Sequence, residues 1–228
     1  MSEIDEYILG GYFLAKQAKK FEYMADFMPS NIVSASSCIS DLFPEAWSFN
    51  SDEKPNQIKR LAKHYEVSVE KISTLLDWVD LNYETHIALG NIFYTVSKAR
   101  EFANLFYEAK SDLRIIGIGL HKNLVSEYLE NEEKGFGVYE TLKQGKNLEG
   151  NGKFLGFEVL GDEGGFFHSW LCNGLEKDCN EKFGIIPNEF GLIKTLFEAE
   201  KCAEYANDDD VGAEPCLWFP WGIFEYEL

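Results

Sequence analysis

Two histidines stand where acid–base chemistry would be easiest to build. His121 ends an apolar, β-branched run and His168 follows a glycine turn. Such positions often line a pocket at strand ends in mixed folds. Glu158 and Asp162 are close in the sequence and could exchange a proton with an imidazole. These residues predict, as one alternative, a small-molecule enzyme with an acid–base site near His121 and His168. Histidines at such junctions are more often hydrogen-bonded structural residues, so no catalytic residue is assigned.

His168 also begins a second pattern, because Cys172 and Cys179 follow it by four and eleven positions. If this segment is helical, the three side chains point within about 40° of one another. Such a face could bind zinc, or His168 could activate Cys172 as a nucleophile. Leu171 and Leu175 flank the same direction, and free cysteine is among the most buried residue types. We therefore expect a buried core face, with no metal and no third group that orients the histidine.

Two motifs for nucleotides and DNA are incomplete. Gly117-Ile-Gly119 follows a predicted strand, as in a dinucleotide fingerprint, but Lys122 occupies the position of the third glycine. No cofactor is predicted, and the glycines indicate a strand that needs close backbone approach. The apolar spacing over residues 61–75 fits a helix-turn-helix, but its second helix would expose Glu70 and Asp77. DNA reading requires basic and amide side chains there, so we expect helix packing and no nucleic-acid partner.

The charge of the chain restricts its partners. Lys and Arg number 21 against 39 Asp and Glu, which gives a net charge of −18. From Leu113 to the last residue there are 22 acidic and 10 basic residues. Such a charge repels phosphate backbones and anionic membranes, whereas it permits a cationic protein partner.

The C-terminal segment combines this charge with a dense aromatic run. We predict that acidic residues form a rim that steers a basic partner, while aromatic residues anchor it. The rim consists of Asp208, Asp209, Asp210 and Glu214, and the anchors are Trp218, Phe219 and Trp221. Core packing is the alternative for the tryptophans, because large aromatic side chains are usually mostly buried.

The leading prediction of function is a non-enzymatic cytoplasmic protein that binds a cationic protein partner. A small, acidic, aromatic-rich chain without a catalytic motif resembles, in general character, the immunity proteins with which bacteria neutralise toxins. That resemblance is one of type and rests on no motif. A structural or oligomer-forming protein is the second alternative, after the small-molecule enzyme.

The cysteines and the N-terminal residues indicate a reducing compartment. The five cysteines are odd in number and form no CxxC pair. The first six residues carry three acids and no base, unlike the basic start of a secretory signal. No stretch approaches the about 18 apolar residues that are needed to span a bilayer. We expect a cytoplasmic protein with free thiols and no membrane partner.

The pattern of apolar residues predicts an α+β fold in which a helical N-terminal half packs on a C-terminal α+β half with a small mixed or antiparallel sheet. The division is predicted between residues 1–110 and 111–228, with the two regions packed as one unit. The predicted helices cover residues 4–28, 56–64, 68–79, 83–107, 123–134, 168–183 and 197–206. The predicted strands cover residues 113–120, 154–160 and 217–226, and Pro220 suggests that the last is an edge strand or carries a bulge.

Overall fold

A curled antiparallel sheet of eight strands forms the centre of the computed structural model, which describes residues 3–43, 54–64, 67–88, 90–107, 111–131, 137–163 and 165–228. The strands in these ranges are β1 (Tyr7–Lys16), β2 (Ala18–Lys19), β3 (Asn31–Ile32), β4 (Leu42–Phe43), β5 (Ile87–Ala88), β6 (Ile92–Phe93), β7 (Leu113–His121), β8 (Lys153–Glu163), β9 (Phe166–Ser169) and β10 (Leu217–Tyr226). The helices are a 3-10 turn (Glu3–Glu6), α1 (Lys54–His64), α2 (Val69–Asn82), α3 (Val96–Phe106), α4 (Lys122–Asn131), α5 (Val138–Lys143), α6 (Leu175–Phe183) and α7 (Leu196–Ala206). The sheet order is β5-β6-β1-β7-β10-β8-β9, with β4 also paired to β1, while β2 and β3 form a separate hairpin.

The curl of the sheet coincides with two irregularities in strand pairing. The pairing of β1 with β7 shifts between Leu9 and Gly11, and that of β10 with β8 shifts between Ile223 and Phe224. Gly11 and Gly156 lie at these shifts with φ of 154° and 141°, where other residues would be strained. An unpaired residue in one strand increases the local twist and bends the sheet. The glycines therefore allow long strands to wrap into a half-barrel.

Both faces of the sheet are buried. One face, which includes Ile115 and Trp218, packs against residues of α1, α2, α3, α6 and α7. The other face, which includes Ile116 and Trp221, packs against Tyr128 of α4 and residues of α5. Because successive side chains of a strand point to opposite faces, each long strand contributes to both cores. These strands therefore read as continuous apolar runs instead of alternating ones.

The glycines of β7 make room for side chains that pack directly against the strand backbone. A Cβ atom at Gly117 would lie 2.7 Å from the ring of Tyr226, and one at Gly119 would lie still closer to Leu148. These separations are shorter than real Cβ contacts, so a larger residue would displace the packing. The structure confirms the prediction that this segment is a strand with close backbone approach.

The predicted helical N-terminal half with a small sheet is wrong. Residues 7–16 form β1, which lies between β6 and β7 in the large sheet, where a helix over residues 4–28 was predicted. Nine successive residues from Tyr7 to Ala15 are buried, so helical spacing can be found by chance among them. The α+β character remains, but the large sheet organises it, and β1 contributes to that sheet from the N-terminal region.

Two predicted helices are too long at their N-terminal ends. The helix predicted for residues 83–107 covers only α3, because Gly90 and Asn91 adopt positive φ in a turn that joins β5 to β6. Thr95 then caps α3 by accepting a hydrogen bond from the Lys98 amide. The helix predicted for residues 168–183 covers only α6, because β9 and a turn precede it. Gly174 lies in the left-handed region at the start of α6.

Other elements are confirmed. α1, α2, α4 and α7 lie close to their predicted ranges, although the last three residues predicted for α4, 132–134, lie outside the described residues. Ser68 caps α2 as expected by accepting from the Lys71 amide. β7, β8 and β10 are also close to their predicted ranges, but β10 lies between β7 and β8 and not at an edge. The irregularity in its pairing with β8 lies at Ile223 and Phe224, not at Pro220. The Trp218 amide donates to Asn207 and therefore points away from β8. Backbone nitrogens two residues apart point to the same side of a strand, so the nitrogen of Pro220 also points away from β8. Because β7 pairs with β10 only from Trp221 onward, the missing N–H of Pro220 faces no strand partner.

The predicted division near residue 110 stays a prediction, although β1 before it pairs with β7 after it along nine residue pairs. Among the helices in the described ranges, none is long and apolar enough to cross a bilayer.

Candidate thiol site at Cys38

The loop between β3 and β4 lies against β8 and the edge strand β9, where the buried carboxyl group of Glu158 holds it. Glu158 of β8 is fully buried, and its Oε1 accepts a hydrogen bond from the Ser34 hydroxyl at 2.5 Å. Its Oε2 accepts the Ala35 amide at 2.9 Å. Burial raises the pKa of Glu158 to about 7, although the hydrogen bonds from Ser34 and Ala35 act to lower it. One side chain of the sheet thus fixes two successive loop residues.

Ser36 continues this attachment and positions the next residues. Its hydroxyl donates to the Phe167 carbonyl of β9 at 2.6 Å and accepts the Cys38 amide at 3.2 Å. The amides of Ile39 and Ser40 both donate to the Ser36 carbonyl, which closes a short turn. Cys38 lies on the exposed side of this turn, directly beside β9.

The turn brings Cys38 to His168, a residue 130 positions away in the sequence. The Cys38 Sγ lies 3.7 Å from His168 Nδ1, and His168 Nε2 lies 2.9 Å from the Glu163 carboxylate. The hairpin of β8 and β9 positions the last two, since Glu163 pairs with Phe166 and His168 pairs with Gly161. The Cys38 sulfur, the His168 imidazole and the Glu163 carboxylate are therefore neighbours in that order in space. An activated cysteine nucleophile has the same arrangement of thiol, base and orienting group.

Two further groups complete the cluster. Cys172 follows β9 in a turn in which its amide donates to the Ser169 carbonyl at 2.9 Å. Its sulfur lies 4.0 Å from the Ser36 hydroxyl, the same oxygen that accepts the Cys38 amide, so the two cysteines are neighbours. Glu214 approaches from the segment before β10, with Oε1 at 3.6 Å from His168 Nδ1. We refer to Cys38, Cys172, Glu163, His168 and Glu214 as the thiol cluster.

The electrostatics of the thiol cluster favour a thiolate beside an imidazolium. The hydrogen bond with Cys172, aided by Ser36 and the charge of His168, lowers the pKa of Cys38 to about 5 against its partial burial. Burial acts to lower the pKa of His168, but Glu163, Cys38 and Glu214 raise it above its ordinary value. The same hydrogen bond with Cys38 raises the pKa of Cys172, so this thiol stays protonated. Only the exposed cysteine of the pair is therefore ready to act as a nucleophile.

Sequence reasoning did not identify Cys38. No motif links Cys38 to His168, because the contact depends on the pairing of β8 with β9 and on the anchor at Glu158. The serines at positions 34, 36 and 37 were the local indication of a constrained turn before the cysteine.

The proposed helix face of His168, Cys172 and Cys179 does not exist. His168 lies on β9, Cys172 in the following turn, and Cys179 in α6, where it is buried against Cys202. The sequence offered no third group to orient the imidazole of His168. In the structure the Glu163 carboxylate is that group. Within the part of the chain that the structure describes, no group of three or more His, Cys, Asp or Glu is arranged to hold a metal ion.

The other acid–base candidates lie apart from one another. His121 is at the end of β7, and β10 and β8 lie between it and β9, so about 14 Å of sheet separates it from His168. Glu6 approaches the His121 ring at 3.8 Å. Asp162 is buried and accepts hydrogen bonds from Tyr128 at 2.6 Å and from the Gly165 amide at 2.9 Å. Asp162 therefore holds the β8–β9 turn, and only His168 belongs to the thiol cluster.

The predicted partner residues divide between the core and the surface. The anchors Trp218, Phe219 and Trp221 have exposed fractions of 1%, 5% and 0%, so they are core residues and present no contact surface. Trp221, for example, packs between Phe167 at 5.4 Å and Tyr128 at 5.5 Å. The acidic rim is accessible, because Asp208, Asp209 and Asp210 are exposed and Glu214 is half-buried. Whether this rim binds a partner stays a prediction.

Comparison with known proteins gives no relative. No protein-family model matches the chain, no curated protein matches it, and no solved structure matches it. The function must therefore be argued from the site itself.

Proposed function

We propose that this protein is an enzyme in which Cys38 acts as a thiolate nucleophile. The observation that carries the proposal is the alignment of Cys38, His168 and Glu163, with separations of 3.7 Å and 2.9 Å. Cysteine nucleophiles generally require a nearby base and a group that orients the base. Of the two histidines that the sequence suggested for an enzyme site, this proposal uses His168 and gives His121 no part in the chemistry.

Each residue has a distinct role in this proposal. Cys38 supplies the attacking sulfur because it is exposed and deprotonates more readily than an ordinary cysteine. His168 holds the opposite charge, and Glu163 fixes the ring by accepting from Nε2. Glu158 is a positioning residue, since its carboxylate holds the loop that carries Cys38.

Selective alkylation tests the proposal. We expect less than one equivalent of iodoacetamide at pH 6 to label Cys38 first, because most other thiols are protonated at that pH. Cys38→Ser should remove the fast phase and His168→Asn should slow it. His121→Asn is the matched control, since His121 also has a glutamate neighbour but lies remote from the cysteine. Slow, unselective labelling of the folded protein would contradict the proposal.

Binding of a cationic protein partner is the second proposal, and one observation favours it. The thiol cluster itself contains the acidic residues Glu163 and Glu214, and Asp208–Asp210 are exposed. Since the C-terminal tryptophans are buried, the aromatic contact would come from Phe21 and Tyr23, which are exposed and stack at 5.5 Å. An immunity-type protein would use such a surface to hold a basic toxin.

Association kinetics test this second proposal once a basic partner is found by gene neighbourhood or affinity capture. Asp208→Asn with Asp210→Asn should slow association at low salt and leave dissociation nearly unchanged, because rim charges act on encounter. Tyr23→Ala should speed dissociation. If both variants bind as the unmodified protein does, the partner surface lies elsewhere.

A further inference from the structure

We infer that Cys38 and Cys172 form a dithiol–disulfide pair that exchanges with an external disulfide, with Cys38 as the attacking thiol and Cys172 as the resolving thiol. This inference rests on the proposed nucleophile and names its class of reaction. It is carried by the position of both cysteines at the Ser36 hydroxyl, which accepts the Cys38 amide at 3.2 Å and lies 4.0 Å from the Cys172 sulfur. It is also carried by their unequal exposure, since Cys38 is exposed and Cys172 is half-buried.

The backbone around Cys38 favours exchange at sulfur over acyl transfer. Acyl transfer builds negative charge on a carbonyl oxygen, which backbone amides beside the nucleophile usually stabilise. Here the Cys38 amide donates to Ser36 Oγ, and the amides of Ile39 and Ser40 donate to the Ser36 carbonyl. These three donors are already used. In thiol–disulfide exchange the charge passes from one sulfur to another, so no oxyanion donors are required.

The reaction takes two steps that balance. The Cys38 thiolate attacks one sulfur of an external disulfide RSSR, forming a Cys38–SR mixed disulfide and releasing RS⁻. Cys172 then gives its proton to solvent or to RS⁻ and attacks the Cys38 sulfur, which forms the Cys38–Cys172 disulfide and releases the second thiolate. The external disulfide is reduced to two thiols, and the protein dithiol is oxidised. A protonated resolving thiol next to the attacking thiolate suits this order.

Reaction with 2-hydroxyethyl disulfide, which is neutral and small, tests the inference. We expect the reduced protein to lose two hydrogens, and peptide mapping to find Cys38 linked to Cys172. Cys172→Ser and, if that variant is unstable, Cys172→Ala should instead accumulate the mixed disulfide on Cys38. Cys38→Ser should form neither product. Circular dichroism confirms that each variant is folded, and Cys179→Ser is the matched control because it changes a buried thiol outside the cluster.

The outcomes separate the two proposals. If the unmodified protein stops at the mixed disulfide on Cys38 and leaves Cys172 free, the resolving role is wrong and the nucleophile proposal stands. If Cys38 reacts with neither iodoacetamide nor the disulfide, the nucleophile proposal itself fails. A disulfide between Cys38 and Cys172 that forms and is reversed by dithiothreitol would support both.

Discussion

Two pairs of cysteines lie close together in this protein, and their surroundings differ. Cys38, which is exposed beside His168, and Cys172, which is half-buried, both adjoin Ser36, whereas Cys179 of α6 and Cys202 of α7 are both fully buried. In the buried pair, the hydrogen bond with Cys179, followed by burial, raises the pKa of Cys202. At the surface, the hydrogen bond with Cys172 and the imidazole lower the pKa of Cys38. Access and a cationic neighbour, not the presence of a second thiol, distinguish a reactive cysteine from a structural one.

The largest expected difference between the pairs is in the rate of alkylation. In folded protein, Cys38 should react on the order of 10³-fold faster than Cys179 or Cys202, because the buried thiols become accessible only through unfolding. Time-resolved mapping of iodoacetamide-labelled peptides measures the ratio. Mild denaturant should accelerate only the buried pair. If Cys179 labels as fast as Cys38 in the folded protein, the contrast between the regions is wrong.

Glu158, which holds the loop that carries Cys38, should make the free energy of unfolding depend on pH. Folding raises the pKa of Glu158 from 4.5 to about 7, so the folded protein keeps a proton that the unfolded chain loses between these values. The contribution of Glu158 is therefore most favourable below pH 4.5, and the free energy of unfolding falls by up to about 3 kcal/mol as pH rises towards 7.

Glu158→Gln tests this dependence because glutamine resembles the protonated acid. Urea unfolding at intervals from pH 4.5 to 7 should give a flatter profile for the variant than for the unmodified protein. The exposed Glu204→Gln is a suitable control, since its side chain does not anchor the loop. Equal slopes in all three proteins would exclude Glu158 as the titrating group.

Substitution of a buried cysteine should change stability without changing reactivity. Cys202→Ser places a hydroxyl among apolar side chains and should cost about 1–3 kcal/mol in the free energy of unfolding. Cys172→Ser, at a half-buried position, should cost less. Chemical denaturation measures both, and the rate of Cys38 alkylation should be unchanged in Cys202→Ser. A large change in that rate would mean that the two pairs are coupled.

The smallest effect is expected at Glu163. Its side chain has an exposed fraction of 66%, so solvent weakens its attraction for His168 to at most about 1 kcal/mol. Glu163→Gln should therefore lower the rate of Cys38 alkylation at pH 6 by no more than about fivefold, while His168→Asn has the larger effect. Stopped-flow alkylation with a fluorescent bimane resolves this difference. A loss at Glu163→Gln that exceeds the loss at His168→Asn would reverse the assigned roles.

The sequence predicts the local elements of this fold better than its sheet. Helix α2 is identifiable because Ser68 caps it and apolar residues recur along it, and β7 because its glycines and branched residues are typical of a buried strand. β1 was assigned to a helix because a strand that is buried on both faces loses its alternating pattern. The partners of a strand depend on chain segments far away, and apolar spacing does not encode them.

The candidate site shows the same limit more sharply. His168 and Cys172 were recognised as residues that could react together, but on a helix that the structure does not contain. Cys38 reaches them only through the Glu158 anchor and the Ser36 bond to β9. Such a cluster depends on tertiary contacts alone, so a single sequence could suggest its members but not their arrangement.

The dependence of Cys38 alkylation on pH tests the central claim most directly. The rate of labelling should rise with pH to a half-maximum near pH 5, the value to which Cys172, Ser36 and His168 lower its pKa, and should then stay level towards pH 8. Mapping the label to Cys38 at each pH excludes the other thiols. A half-maximum near the ordinary value of 9.0 would contradict the account, because Cys38 would then be an ordinary exposed cysteine.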